Sequence, residues 1–142
     1  MADPDALGRS LAVRDGDLVL LDRVAAEDGR TVRTFAEVGG VANLAQALTL
    51  RVLTPLGSDV FNTGYGFDAA EVLTGAATAR TARDLVQLNL VRTLGTDARV
   101  REIREVTFRD PPAATRRRAW PVEVTIVAVD GGLYALSVPV GA

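Results

Sequence analysis

The chain has 142 residues, a length that suits one domain, and its 16 basic and 18 acidic residues leave a net charge of −2. This balance offers no general attraction for nucleic acid or for an anionic membrane. The sequence has no cysteine, histidine or lysine, which excludes thiolate nucleophiles, Ser-His-Asp triads, metal sites built on imidazole or thiolate, and Schiff-base chemistry.

Residues 1–40 predict an N-terminal extension that carries a β-hairpin. The first residues lack the basic region and the apolar run of a signal peptide. Asp15-Gly16-Asp17 predicts a turn, and the apolar run of residues 18–21 that follows predicts a short buried strand over residues 18–22. Residues 31–35 alternate in polarity, so we expect these two segments to pair across a turn at Asp28-Gly29.

Two main helices are predicted in the middle of the chain. Between residues 41 and 52 the apolar side chains recur at helical spacing, and Thr54-Pro55 ends this helix because proline disfavours helical backbone in the residue before it. The second helix is predicted over residues 79–94, with Thr78 or Thr81 as its start. A short helix is predicted over residues 68–73. The segment before it is rich in glycine and threonine and is expected to be an ordered connector.

The last third of the chain predicts a three-stranded antiparallel meander. Its strands are expected over residues 99–108, 120–129 and 133–140, with a tight turn at Asp130-Gly131-Gly132 and with broken alternation in the first strand. The order of elements indicates an α+β fold, in which the two main helices pack on one face of an antiparallel sheet. We expect residues 41–142 to form the main domain, in a chain that is one compact domain overall.

The connector and its surroundings contain the candidates for catalysis and for ligand binding. Asp59, Asp68 and Glu71 are the carboxylates that a cell-wall hydrolase would use as an acid–base pair. However, only 5% of the chain is aromatic, whereas a polysaccharide cleft usually offers aromatic platforms. Gly64-Tyr65-Gly66 begins a dinucleotide-binding pattern but lacks a preceding strand. We therefore expect no enzyme, no cofactor and no metal, and we keep the carboxylate-dependent peptidoglycan hydrolase as the alternative.

One local basic patch lies in the segment before the second strand of the meander. Arg116-Arg117-Arg118 is followed by Trp120, a combination that can contact phosphate and stack on bases. The chain is acidic overall and has no second patch of this kind. We therefore expect a solvated loop or an acidic protein partner here, and no nucleic acid.

The final hairpin, from Val122 to Val140, carries very little charge. Between Thr125 and Val138 only Asp130 is charged, although long apolar sheet edges are usually protected by charge or proline. Two interpretations follow. The edge is either covered by the N-terminal hairpin, or it accepts a strand from another subunit.

Several segments, taken in their order and spacing, resemble a known family. They are residues 43–48, residues 53–57, Gly64-Tyr65-Gly66, residues 97–100 and residues 136–140. Together they are similar to the baseplate wedge proteins of contractile phage tails and related injection systems, which are often called sheath initiators and in older naming lysozyme-like. The resemblance covers residues 41–108 well and the last hairpin loosely, and it leaves the first forty residues outside.

The resemblance implies a set of binding residues. Asp97 and Arg99 would contact the wedge, although Ala98 replaces the proline of the family's Glu-Pro-Arg signature, and Ser58 stands where the family has glutamate. The loop signature comprises Thr54, Pro55, Gly57, Gly64, Tyr65 and Gly66. The strands facing the sheath would contribute Val122, Val124, Ile126, Leu133, Ala135, Leu136 and Val138.

The resemblance also implies a role in assembly. We expect a structural baseplate protein that joins the wedge to the first sheath ring by β-strand addition. Its partners would be wedge proteins and sheath subunits, with tube or spike proteins as further candidates, and with no nucleic acid and no membrane. Six copies in a ring are expected. The protein would be cytoplasmic during assembly and would then belong to the baseplate of a phage tail or injection particle.

Overall fold

Residues 5–75, 78–109 and 120–140 are described by a computed structural model of the chain. Helices and antiparallel strand pairs both occur, which confirms the predicted α+β class. In chain order the elements of these residues are β1 (Arg9–Leu11), β2 (Val13–Arg14), β3 (Asp17–Leu18), β4 (Leu20–Val24), β5 (Thr31–Phe35), β6 (Glu37–Gly39), α1 (Gly40–Leu53), α2 (Ala69–Gly75), α3 (Ala79–Leu94), β7 (Val100–Phe108), β8 (Trp120–Ala128) and β9 (Leu133–Val140).

The three C-terminal strands form the predicted meander, with β8 between β7 and β9. Because side chains alternate across a strand, one face of β8 and β9 is apolar and buried. This face packs against α1 and α3, whose own buried stripes supply most of the remaining core. The fully buried members of this core include Leu44, Leu48, Val86, Leu90, Leu94, Val122, Val124, Ile126, Ala128 and Val138.

Two register shifts explain the broken alternation of β7. They lie between Val100 and Glu102 and between Ile103 and Glu105. Each shift places one extra residue in β7, so the side chains that follow turn back to the original face. Val100, Ile103 and Val106 therefore all belong to the core or pack against it, despite their three-residue spacing.

The helix boundaries follow local sequence signals. α1 ends at Leu53, directly before Thr54-Pro55, and α3 has the predicted bounds. Of the two candidate starts of α3, Thr78 is the cap, because its Oγ1 accepts a hydrogen bond from the Thr81 N–H at 3.1 Å. α2 begins one residue after the predicted start at residue 68.

The N-terminal hairpin forms as β4 and β5, but it is separate from the meander. Its strands pair with each other, with Leu20 opposite Phe35, and join no larger sheet. The prediction of a buried strand is wrong, because Leu20 is 52% and Leu21 43% exposed. The physical reason is that no second layer covers either face of this hairpin in the described ranges. The hairpin therefore also fails to cover the outer edge of β9.

The base of the N-terminal extension is attached to α1. The buried Asn43 donates from Nδ2 to the Leu7 carbonyl at 2.9 Å and accepts from the Ser10 hydroxyl at 2.5 Å. The Val13 N–H donates to Gln46 Oε1 at 2.8 Å. Leu7 itself is 3% exposed and belongs to the core. Part of the predicted extension is therefore packed into the main domain.

Replacing Asn43 with alanine is expected to lower the free energy of unfolding by about 2 kcal/mol, because the buried Leu7 carbonyl and the Ser10 hydroxyl each lose a hydrogen-bond partner. Urea unfolding of the full chain measures this loss. In the control, Gln46→Ala removes bonds to the Val13 N–H, the Ser10 hydroxyl and the Leu11 carbonyl, none of which is fully buried, and it should cost less than Asn43→Ala. Equal losses in the two variants would contradict the proposed role of Asn43.

Candidate functional site

The candidate acceptor site is the outer edge of β9. Within the described ranges β8 is paired on both sides, whereas β9 is paired only with β8. Val122, Val124 and Ile126 lie on this central strand, so among the predicted sheath-facing strands the free edge belongs to β9. The side chains of Leu136 and Val138 are also unavailable because they face the core.

The register shows which main-chain groups of β9 point outward. The Ala128 N–H donates to the Gly132 carbonyl at 3.0 Å, so these two residues form a hydrogen-bonded pair. Such pairs alternate along an antiparallel ladder. The residues of β9 that bond to β8 are therefore Tyr134, Leu136, Val138 and Val140, opposite Ile126, Val124, Val122 and Trp120. The intervening residues direct their N–H and C=O groups away from β8, and they are Leu133, Ala135, Ser137 and Pro139.

The position of Pro139 agrees with this assignment. It lies opposite Pro121, and at an outward-directed position the missing N–H of proline costs no bond to β8. The available edge therefore offers both N–H and C=O groups from Leu133 to Ser137. Beyond that point it offers only a carbonyl at Pro139.

The two outer strands of the meander differ sharply in charge. β7 carries Arg101, Glu102, Arg104 and Glu105, with an ion pair of 3.1 Å between Arg104 and Glu102, and it contains both register shifts. Charge and bulges are the usual protection of an edge against pairing with another chain. β9 has no charged residue at all. Of the two edges in the described part of the chain, β9 is therefore the one without charge or bulges, and Pro139, near its end, is its one protecting residue.

A side-chain contact fixes the turn before β9. Asp130 accepts from the Gly132 N–H at 2.8 Å and from the Tyr134 hydroxyl at 2.6 Å. The hydrogen bond with Asp130 raises the pKa of Tyr134, and the same bond lowers the pKa of Asp130. The start of the available edge is thus held in place by the turn.

A second cluster surrounds the buried Asp97, one of the predicted wedge residues. Arg99 contacts both oxygens of this carboxylate, from Nε at 2.9 Å and from Nη2 at 2.8 Å, and donates from Nη1 to the Leu7 carbonyl at 3.2 Å. The hydrogen bond from Arg99 lowers the pKa of Asp97, against the opposing effect of burial. The hydrogen bond with Asp97 raises the pKa of Arg99. This pair joins the N-terminal segment to the start of β7.

Arg51 connects this cluster to the loop signature, and sequence reasoning missed it. Its Nη2 lies 3.7 Å from Asp97 Oδ2, its Nη1 donates to the Thr96 hydroxyl at 2.6 Å, and its guanidinium lies 4.5 Å from the centre of the Tyr65 ring. Two motifs that are separate in sequence therefore meet at one place. The available signal was that Arg51 is the single charged residue of the predicted first helix.

The residues of the loop signature close a compact loop over residues 54–67. The Phe67 N–H donates to the Thr54 carbonyl at 2.8 Å, and the Leu56 N–H donates to the Phe67 carbonyl at 3.0 Å. Gly66 has a φ of +117°, and a Cβ atom there would lie 2.5 Å from the Thr54 carbonyl oxygen. Only glycine permits this close approach. Gly57, with a φ of +79°, also has a backbone conformation that favours glycine.

The carboxylates of the hydrolase alternative each have a local structural partner. Asp59 accepts from the Phe61 N–H at 2.9 Å, and Asp68 accepts from the Glu71 N–H at 3.0 Å in the first turn of α2. Glu71 also lies 3.9 Å from Arg92. These contacts order the loop and the start of the helix. The basic patch at residues 116–118 lies outside the described residues.

Neither a protein-family model nor a curated protein sequence matches this chain. None of the helices in residues 5–75, 78–109 and 120–140 is long and apolar enough to cross a membrane.

Proposed function

We propose that this chain is a structural assembly protein whose β9 edge accepts an extended strand from another subunit. In this proposal it links the baseplate of a contractile tail or injection system to the first ring of sheath subunits. The observation that carries the proposal is the contrast between the charged, bulged β7 edge and the uncharged β9 edge. An edge without protection is a template for pairing with another chain.

Strand addition suits the groups that β9 offers. The outward N–H and C=O groups from Leu133 to Ser137 can pair with any extended segment, because main-chain hydrogen bonds provide the affinity. Leu133 and Ala135 are exposed on the face away from the helices and would lie beside alternate side chains of the added strand. A contact of this kind makes little demand on side-chain identity, and it can be repeated around a ring of identical subunits.

The baseplate context is supported by the resemblance described above. The two groups of residues that carry this resemblance, the loop signature and the Asp97-Arg99 pair, lie in one cluster, because Arg51 contacts both Tyr65 and Asp97. The side chain of Asp97 is 5% exposed, so we propose that Asp97 positions Arg99. The side chain of Arg99 is 26% exposed and would contact the wedge protein. Six copies in a ring remain part of the proposal.

The proposal is tested by replacing Ala135 with proline. This change removes an outward N–H but should leave the β8–β9 ladder intact, as Pro139 does in the natural sequence. The expected result is a folded chain that enters baseplates, while the number of particles with a sheath falls at least about tenfold because strand addition loses a central hydrogen bond. Electron microscopy of particles from the producing cells measures this ratio.

Two control variants separate edge pairing from folding. Ala135→Val keeps the N–H and should leave sheath assembly near the natural level. Leu136→Pro removes an N–H that bonds to β8 and should destabilise the chain itself. Normal sheath assembly on a folded Ala135→Pro chain would refute the proposal. Release of peptidoglycan fragments by the purified chain, abolished in Glu71→Gln, would support the hydrolase alternative instead.

A further inference from the structure

The loop over residues 54–67 presents two apolar side chains to solvent at its tip. Phe61 is 98% exposed and Val60 is 80% exposed, the two highest values among the large apolar residues in the described ranges. Side chains this exposed contribute almost nothing to the stability of the isolated chain, because burial is the source of the hydrophobic effect. Their placement therefore calls for an explanation outside the fold.

The tip is held in a defined conformation. Asp59 Oδ1 accepts from the Phe61 N–H at 2.9 Å, the Asn62 N–H donates to the Asp59 carbonyl at 3.2 Å, and the Tyr65 N–H donates to the Asn62 carbonyl at 2.9 Å. Tyr65 in turn lies under the guanidinium of Arg51. A group that is already ordered loses little conformational entropy on binding, which increases its affinity for a partner.

The charge beside the tip indicates the class of partner. Asp59 is the one charged residue among residues 54–67, and its second carboxylate oxygen has no partner in the described part of the chain. Segments that insert into anionic membranes carry arginine or lysine beside their apolar residues, whereas residues 54–67 contain neither arginine nor lysine. The loop tip of one chain could in principle insert into the apolar groove between α1 and α2 of a second copy. However, Asp68 lines that groove, and its negative charge would repel Asp59 of the inserted tip.

We infer that Val60 and Phe61 form an anchor that inserts into an apolar pocket of a partner protein, and that arginine or lysine at the rim of this pocket faces Asp59. An exposed aromatic side chain on a rigid loop is the type of residue that dominates the affinity of an interface. This inference is independent of strand addition at β9, because it concerns a different segment and different chemistry.

The inference is tested first by crosslinking from position 61. The full chain, with Phe61 replaced by p-benzoylphenylalanine, is irradiated in the cells that produce it, and mass spectrometry locates the crosslinked atom. We expect a crosslink to one other protein, within an apolar surface that also carries arginine or lysine. A crosslink to lipid, to a second copy of this chain, or to no single protein would overturn the inference.

Binding of the purified partner then measures the contribution of each group. Calorimetry should show that Phe61→Ala raises the dissociation constant at least about 30-fold, as is typical of a dominant interface residue. Asp59→Asn keeps the acceptor for the Phe61 N–H but removes the charge, so binding should weaken and lose most of its salt dependence. An unchanged dissociation constant for Phe61→Ala would overturn the inference.

Two further measurements serve as controls. Leu88 is 52% exposed on α3, and Leu88→Ala should leave the dissociation constant unchanged. Phe61→Ala should also leave the Tm of the free chain unchanged, which excludes an effect through folding. Vesicles of phosphatidylcholine and phosphatidylglycerol should not bind the natural chain. Binding to these vesicles that Phe61→Ala abolishes would assign the tip to a membrane and refute the protein partner.

Discussion

Replacing Gly66 with alanine is expected to lower the free energy of unfolding by about 4 kcal/mol, or to prevent folding. The residue has a φ of +117°, and an added Cβ would lie 2.5 Å from the Thr54 carbonyl oxygen and 2.8 Å from the Pro55 main chain. Relieving these contacts would open the base of the loop, where Phe67 bonds to both Thr54 and Leu56. Urea unfolding of the full chain measures the loss.

A matched control lies two residues earlier in the same signature. Gly64 has no positive φ, and a Cβ there would have Asn62 Oδ1 at 3.8 Å as its nearest neighbour, which is an ordinary contact. Gly64→Ala should therefore change the free energy of unfolding by less than about 1 kcal/mol. If both variants lost the same amount, the close approach at Gly66 would not be the reason for the glycine.

The second large effect is expected at Asp97. Asp97→Asn should cost about 3 kcal/mol at neutral pH, because it leaves the guanidinium groups of Arg99 and Arg51 without their shared carboxylate in a largely buried site. The exposed pair of Asp22 and Arg33 supplies the control. Asp22→Asn should cost less than about 0.5 kcal/mol, because exposed ion pairs contribute little.

The contribution of Asp97 is expected to depend on pH in a defined direction. Its pKa is lowered in the folded chain, chiefly by the hydrogen bond from Arg99. The stabilisation is therefore fully present above the unfolded pKa of about 3.9 and is lost as the pH falls through the lower, folded pKa. The difference in unfolding free energy between the natural chain and Asp97→Asn should shrink below about pH 4. A difference that stays constant from neutral to strongly acidic pH would contradict this assignment.

Features encoded by neighbouring residues were predictable. The bounds of α3 and the end of α1 follow from apolar spacing and from Thr54-Pro55, because helix formation depends on residues within a few positions of one another. The meander was predicted for the same reason. Even the bulges of β7 are visible in its sequence, as apolar residues whose spacing does not fit a regular strand.

Burial of the N-terminal strand could not be predicted from its composition. Residues 18–21 are as apolar as many core strands, yet Leu20 and Leu21 are exposed. A strand is buried only if another layer of the chain packs over it, and that layer is distant in sequence. The sequence also shows that β9 carries no charge. It does not show whether another part of the chain covers the edge of β9, because that part would be distant in sequence.

The sequence by itself determined many local parts of this protein: the helices, one N-terminal hairpin, the strands of the meander, the glycine-rich loop and the low charge of the final hairpin. The short strands β1, β2, β3 and β6 were not predicted. Tertiary structure alone decided that β8 is central, that Leu133, Ala135 and Ser137 direct their main-chain groups outward, and that β4 and β5 stand apart. It also decided that Arg51, Tyr65 and Asp97 form one cluster. Local periodicity is set by neighbouring residues, whereas the choice of an edge or a contact depends on the free energy of packing the whole chain.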